Sequence, residues 1–179
     1  MDIYKLNFTV LEQEFFSLLC WKAGIKLSQR DIAKMLNVSP TAVANSLKKL
    51  SKLGLVCFDR MKTINFVSLN RDNSKVIDMK KIENLKGVYL SGLVDFFKDN
   101  LAGATVVLFG SYFRGEDLER SDVDIAVIGR NKKVLDLEKY EQILNRKINV
   151  NYYKSWNDCG KELRNNILNG IVLVGGVEL

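Results

Sequence analysis

The 179-residue chain contains no histidine. Every mechanism that uses imidazole as a base or a metal ligand is thereby excluded, Ser-His-Asp hydrolysis and histidine-zinc hydrolysis among them. Cysteine is scarce. Cys20, Cys57 and Cys159 are far apart, odd in number and form no Cys-x-x-Cys pair, which argues against a zinc site and for reduced, mostly buried small hydrophobes. Long apolar runs are missing and no signal peptide follows Met1-Asp2, so the expectation is a cytoplasmic protein with no membrane partner. Internal repeats and low-complexity segments are absent too. Any chemistry must run on carboxylates, bound metal, lysine or arginine.

What is present reads as one or two small globular domains, with 47% hydrophobic and 27% charged residues. The charge is divided unevenly. Residues 1–80 hold 13 Lys/Arg against 7 Asp/Glu, whereas residues 81–179 hold 14 of each, so the whole basic excess lies in the N-terminal part. That asymmetry points to a nucleic-acid-binding module joined to a neutral partner domain.

Patterning sharpens this reading. Ser28 with Asp31 three positions later is a helix-start signature, followed by Ile32, Ala33 and Leu36 as a helix face. After a turn at Leu36-Asn37-Val38, Ser39 caps a second helix with Pro40 at its first position; Val43, Leu47, Leu50 and Leu53 recur along one side until Gly54. The opposite side carries Thr41, Asn45, Lys48 and Lys52, with Lys49 on its flank, groups that suit a recognition helix in the major groove. Leu55 to Asp59, a basic turn Arg60-Met61-Lys62 and Thr63 to Leu69 then read as a hairpin whose tip, Arg60 and Lys62, reaches phosphates. Phe15, Phe16, Leu18 and Leu19 supply an earlier helix. Helix, turn, helix and hairpin over residues 1–70 resemble a winged helix-turn-helix, which implies double-stranded DNA as a partner and allows a homodimer; a helical protein-interaction unit would share the same apolar pattern. Residues 71–80 are polar and charged with no periodic apolar face and read as a linker. From Met79, the spacing of Ile82, Leu85, Val88 or Tyr89, Gly92 or Leu93, Phe96 and Phe97 predicts one long amphipathic helix leading into the Thr105 strand.

The most informative stretch lies beyond it. Thr105 to Phe109 reads as a buried strand that breaks at Gly110-Ser111, within Leu108-Phe109-Gly110-Ser111-Tyr112-Phe113-Arg114-Gly115. Glycine permits a tight turn whose amides and hydroxyl can face an anion. Ten residues separate Ser111 from Asp122, and Asp122 and Asp124 sit two apart at the start of a second apolar strand, Ser121-Asp122-Val123-Asp124-Ile125-Ala126-Val127. Side chains two apart on a strand share a face, so the two carboxylates can hold a divalent metal.

Gly-Ser, ten residues and Asp-x-Asp on a strand resemble the minimal nucleotidyltransferase branch of the polymerase-β-like superfamily, over residues 81–179. The resemblance implies an α/β (α+β) domain with a mixed sheet. It assigns Gly110, Ser111 and Arg114 to the nucleotide phosphates and Asp122 and Asp124 to catalysis and to Mg²⁺ (or Mn²⁺), with a nucleoside triphosphate, ATP first among them, as substrate or ligand. The chain departs from that pattern one strand later. A third carboxylate belongs on Lys147-Ile148-Asn149-Val150-Asn151-Tyr152-Tyr153, where alternation puts Asn149 and Asn151 on the relevant face, and asparagine carries no charge and accepts no proton near neutral pH. Either another acid, such as Asp158 or Glu162, substitutes, or nucleotide is bound without turnover.

The sequence therefore predicts a winged helix-turn-helix followed by a small nucleotidyltransferase domain. Its expected activity is transfer of a nucleoside monophosphate to a hydroxyl of a protein or small molecule. The alternative is a transcriptional regulator whose second domain is inactive and serves for ligand sensing or dimer contacts.

Overall fold

The computed structural model describes residues 8–61 and 64–178, apart from the side chains of Arg60 and Met61. Lys62 and the Arg60 side chain, both expected at the wing tip, lie outside the described residues. The chain divides into two compact units, Met1–Ile77 and Asp78–Leu179.

In the first unit, α1 (Val10–Trp21) opens with a capping box in which Thr9 and Glu12 satisfy each other's backbone amides. A two-residue strand β1 (Leu27–Ser28) leads into α2 (Gln29–Met35), capped by Ser28 with Asp31 as the reciprocal partner. Asn37, at φ 53°, turns the chain into α3 (Pro40–Lys52), where the Ser39 hydroxyl accepts the Ala42 amide at 3.2 Å. β2 (Val56–Met61) and β3 (Ile64–Leu69) form an antiparallel hairpin, and β1 adds to the free edge of β3. Phe15, Leu19, Ile32, Val43, Leu47, Leu50 and Val67 are buried and close the core. Helix-turn-helix and wing thus stand where capping and periodicity predict them, with β1 as an unforeseen third strand.

Helix α4 (Ser74–Leu90) starts inside the stretch read as a linker. Asn73 explains the start: its Oδ1 accepts the Lys75 amide at 3.1 Å while its Nδ2 donates to the Gly54 carbonyl at 3.2 Å. The buried positions along this helix are Val76, Lys80, Asn84 and Val88, four residues apart, and two of them are polar. An apolar-period reading cannot see such a face. The expected single long helix also breaks. Ser91 and Gly92, the latter at φ 79°, separate α4 from α5 (Leu93–Asn100).

The second unit holds a four-stranded mixed sheet of β4 (Thr105–Phe109), β5 (Val123–Ile128), β6 (Ile148–Tyr153) and β7 (Ile171–Val174), in the order β6-β5-β4-β7. β5 and β6 run parallel; the other pairs are antiparallel. Between the strands lie α6 (Gly110–Arg114) after β4, α7 (Glu138–Leu144) before β6, and a 3-10 turn (Trp156–Asp158) with α8 (Lys161–Leu168) before β7. One sheet face, with Val106, Leu108, Val123, Ile125 and Val127, packs in a cluster with Leu93, Val94, Phe97 and Leu144. The other face, with Val107, Phe109, Ala126 and Ile128, packs with Cys159 and Ile167. Residues one apart on a strand face opposite ways, so Asp124, two before Ala126, emerges on this second face.

Candidate functional site

The site grows from the rung that joins three neighbouring strands. Phe109 on β4 pairs with Asp124 on β5, and Asp124 pairs with Asn149 on β6. One residue beyond Phe109 the chain turns at Gly110, φ 78°, into α6. A Cβ built on Gly110 would stand 2.6 Å from Asp124 Oδ2, closer than real contacts allow. Glycine is therefore required twice here, for its backbone conformation and for the approach of a carboxylate to the turn. Ser111 follows, half-buried, at the second position of α6.

Asp122 is exposed just ahead of β5, whereas Asp124 is half-buried. Asn149 Nδ2 donates to Asp122 Oδ2 at 3.0 Å, and the same side chain hydrogen-bonds Asp124. Burial raises the Asp124 carboxyl above the ordinary aspartate range; the Asn149 hydrogen bond opposes that shift and the negative charge of Asp122 adds to it. A raised carboxyl beside a second carboxylate is a place where a cation relieves repulsion. Among the described residues no three His, Cys, Asp or Glu side chains are grouped to hold a metal. Two carboxylates are nevertheless a hard-oxygen set of the kind Mg²⁺ accepts, with phosphate oxygens and water completing its shell.

Arg114 is engaged elsewhere. Its Nε donates to Glu116 at 2.7 Å and its Nη1 to Asn166 of α8 at 3.1 Å, so any phosphate would have to displace those partners. Asn149 and Asn151 fall on the side that strand alternation assigns, and no carboxylate takes their place on β6. Asp158 is engaged in its own turn, where it accepts the Ser155 amide at 2.8 Å. Glu162, in the first turn of α8, lies about 6 Å before Asn166, the α8 residue that reaches α6.

On α3 of the first unit, Thr41, Asn45, Lys48 and Lys52 are exposed opposite buried Val43, Leu47 and Leu50. Lys49 departs from this set. Its ammonium donates to Glu12 Oε2 at 2.8 Å, tying α3 to α1. Burial pushes the Glu12 carboxyl up, but hydrogen bonds from Lys49 and Thr9 and the Lys49 charge together hold it below its usual value. Lys49 is thus a packing cation that helical-wheel reasoning placed among groove-facing ones. Cys20 and Cys159 are buried and Cys57 is exposed. No helix among the described residues is long and apolar enough to cross a membrane.

Sequence reasoning missed a buried polar cluster behind the turn, formed by Lys80, Asn84, Asp117 and Arg146. Lysine and asparagine inside a stretch read as linker and helix face gave no periodic signal, and Asp117 sat unremarked between the two motifs.

A family model matches part of each unit. Residues 90–174 match the family described as Nucleotidyltransferase domain, and residues 18–56 match the family described as Winged helix-turn-helix DNA-binding. A Methanocaldococcus jannaschii protein described as a candidate protein adenylyltransferase is 38% identical over 65 residues, covering 35% of this chain and 43% of that protein's length. A crystal structure of a zinc-responsive MarR family member of Lactococcus lactis is 23% identical, with a TM-score of 0.38, over 56% of this chain and 71% of that one.

Proposed function

We propose that this chain, which carries a winged helix-turn-helix followed by a nucleotidyltransferase domain, binds Mg-ATP in the second domain and transfers its nucleoside monophosphate to a protein hydroxyl. The observation that carries the reading is the approach of Asp124 to Gly110, where only the absence of a side chain admits the carboxylate. A phosphate held in that turn and the half-buried carboxylate would repel unless a cation lay between them. Asp122 and Asp124 would hold Mg²⁺ (or Mn²⁺), and Gly110 and Ser111 would face the phosphates. Bound there, the metal would draw charge from the phosphate oxygens. The relative's description supports ATP and a protein acceptor.

In the transfer, the acceptor oxygen forms a bond to the α-phosphorus. The bond from that phosphorus to the bridging oxygen breaks, and pyrophosphate leaves with the electron pair. The hydroxyl proton passes to water, because Asn149, where a third carboxylate would stand, cannot accept it. Slow turnover follows. The first domain would bind double-stranded DNA through Thr41, Asn45, Lys48 and Lys52, with Arg60 and Lys62 at the wing, and such ligands would suit a cytoplasmic protein.

A second reading has its own observation. The Asn149 amide occupies Asp122 with a hydrogen bond and stands, uncharged, where a third acid would be needed, which favours a regulator that binds nucleotide without turning it over. Incubation with α-phosphate-labelled ATP, Mg²⁺ and a cell lysate separates the two. Label on protein that disappears in Asp122→Asn and Asp124→Asn supports transfer; equal labelling by the variants removes the assigned site.

A further inference from the structure

Behind the turn lies an ionic cluster that the proposed chemistry does not use. Asp117, 1% exposed, sits in the loop between α6 and β5. Its Oδ1 accepts from Lys80 Nζ and, at 2.7 Å, from Asn84 Nδ2, and its Oδ2 faces Arg146 Nη2 at 3.5 Å. The side chains of Lys80 and Asp117 are fully buried and that of Arg146 is 2% exposed. Burying these charges costs more than an apolar core of the same volume, so mere stability is a weak reason for their presence.

Each arm of the cluster ends on a different part of the site. Asn84 Nδ2 also donates to the Tyr112 carbonyl at 2.8 Å, one residue after Ser111, and thereby fixes α6 to α4. From Asp117 the loop runs into a closed turn, in which the Leu118 amide donates to Ser121 Oγ at 2.9 Å and the Ser121 amide to the Leu118 carbonyl at 3.1 Å; Asp122 is the next residue. Arg146 precedes Lys147, whose carbonyl accepts the Val123 amide at 2.8 Å, between Asp122 and Asp124 and two residues before Asn149. One carboxylate thus meets the supports of the Gly110-Ser111 turn, of Asp122 and of Asn149.

We propose that Asp117 is the positioning residue of this site, the common anchor that holds the phosphate turn in register with the two metal-facing carboxylates. It touches neither nucleotide nor metal. Its effect is to remove the relative motion of α6, the 118–121 turn and the start of β6, so that Ser111, Asp122 and Asn149 stay in one arrangement before ligand arrives. The proposal deepens the nucleotide reading and rests on it for its functional consequence, but not for its structural one.

The test uses the full-length chain and two variants. Asn84→Ala cuts the link to Tyr112 and leaves the ion pairs. Lys80→Met/Asp117→Leu/Arg146→Met replaces the charges with apolar groups of similar volume, a change that often preserves or raises stability. Hydrogen exchange without nucleotide reads positioning directly: amides at 110–123 should exchange about tenfold faster in both variants, with those of β4 unchanged. Calorimetry of ATP with Mg²⁺ and with a chelator reads the consequence. Mispositioned carboxylates lose the gain that Mg²⁺ gives, whereas a partly unfolded domain weakens both titrations equally. Unchanged exchange at 110–123 in the Asn84→Ala protein, or an undiminished Mg²⁺ gain, would overturn the proposal. Absence of Mg-ATP binding by the parent would instead sink the nucleotide reading, while the exchange data would still decide whether Asp117 positions the loop.

Discussion

Asn149 donates its side-chain amide to Asp122 across the β5–β6 pair at 3.0 Å and hydrogen-bonds Asp124 as well. The residue in place of a third acid is therefore the one that holds the other two. Asn149→Asp would set a third carboxylate beside Asp122 and Asp124. Its predicted effects are divalent-cation affinity higher by roughly tenfold, as expected for one more ligand charge, and faster transfer of labelled nucleotide. Manganese titration and label incorporation read both. An unchanged affinity would place Asn149 outside the metal's reach.

Gly110→Ala asks whether the close approach of Asp124 matters. The positive φ costs a residue with a Cβ roughly 1–2 kcal/mol, and the new methyl would displace Asp124 Oδ2. Thermal melting should show the modest loss, and Mg-ATP binding should weaken far more than stability does. A variant that melts early but binds normally would separate the glycine from the site.

The raised Asp124 carboxyl gives a pH dependence with a definite sign. Protons compete for Asp124 at higher pH than for an ordinary aspartate, so Mg-ATP affinity should fall as pH drops through that raised value, and Asp124→Asn should abolish the dependence. Stability of the ligand-free domain moves the other way. A carboxyl whose pKa is raised by folding disfavours its ionised form in the folded state, so this group's contribution becomes more favourable as pH falls. Melting curves without ligand and titrations with it, over the same pH range, should diverge.

In the first unit, the exposed lysines and the packed one should behave differently. Lys48→Ala/Lys52→Ala should weaken DNA binding and flatten its salt dependence, the slope falling by about one for each phosphate that is no longer neutralised. Lys49→Ala should leave the salt dependence alone and cost about 1 kcal/mol, a value reduced for the partial exposure of Lys49, because it removes the partner of buried Glu12. Glu12 is held below its usual 4.5, so its contribution is present above that value and is lost as pH falls through the lowered one. A changed salt slope in the Lys49 variant would return that residue to the DNA face.

The parts legible in the sequence share a physical cause. Ser28, Asp31, Ser39 and Pro40 act within one turn of themselves, so their caps can be read without knowing the fold. Strand alternation likewise puts Asp124 and Asn149 on one face, and the turn at Gly110 is marked by the residue itself. What was hidden depends on partners far along the chain. Lys49 looks like a groove-facing cation until α1 brings Glu12 beneath it, and Lys80 looks like linker polarity until Asp117, 37 residues later, folds against it. Arg114 follows the family's spacing, yet Glu116 and Asn166 occupy its guanidinium.

Calorimetric titration of the intact protein and of Asp122→Asn/Asp124→Asn with Mg-ATP tests the central claim most directly, since it needs no acceptor. The account predicts saturable binding by the parent that the double variant and a chelator both abolish. Equal binding by the double variant, or none by the parent, would contradict it and leave the rung of Asp124 and Asn149 as a structural remnant.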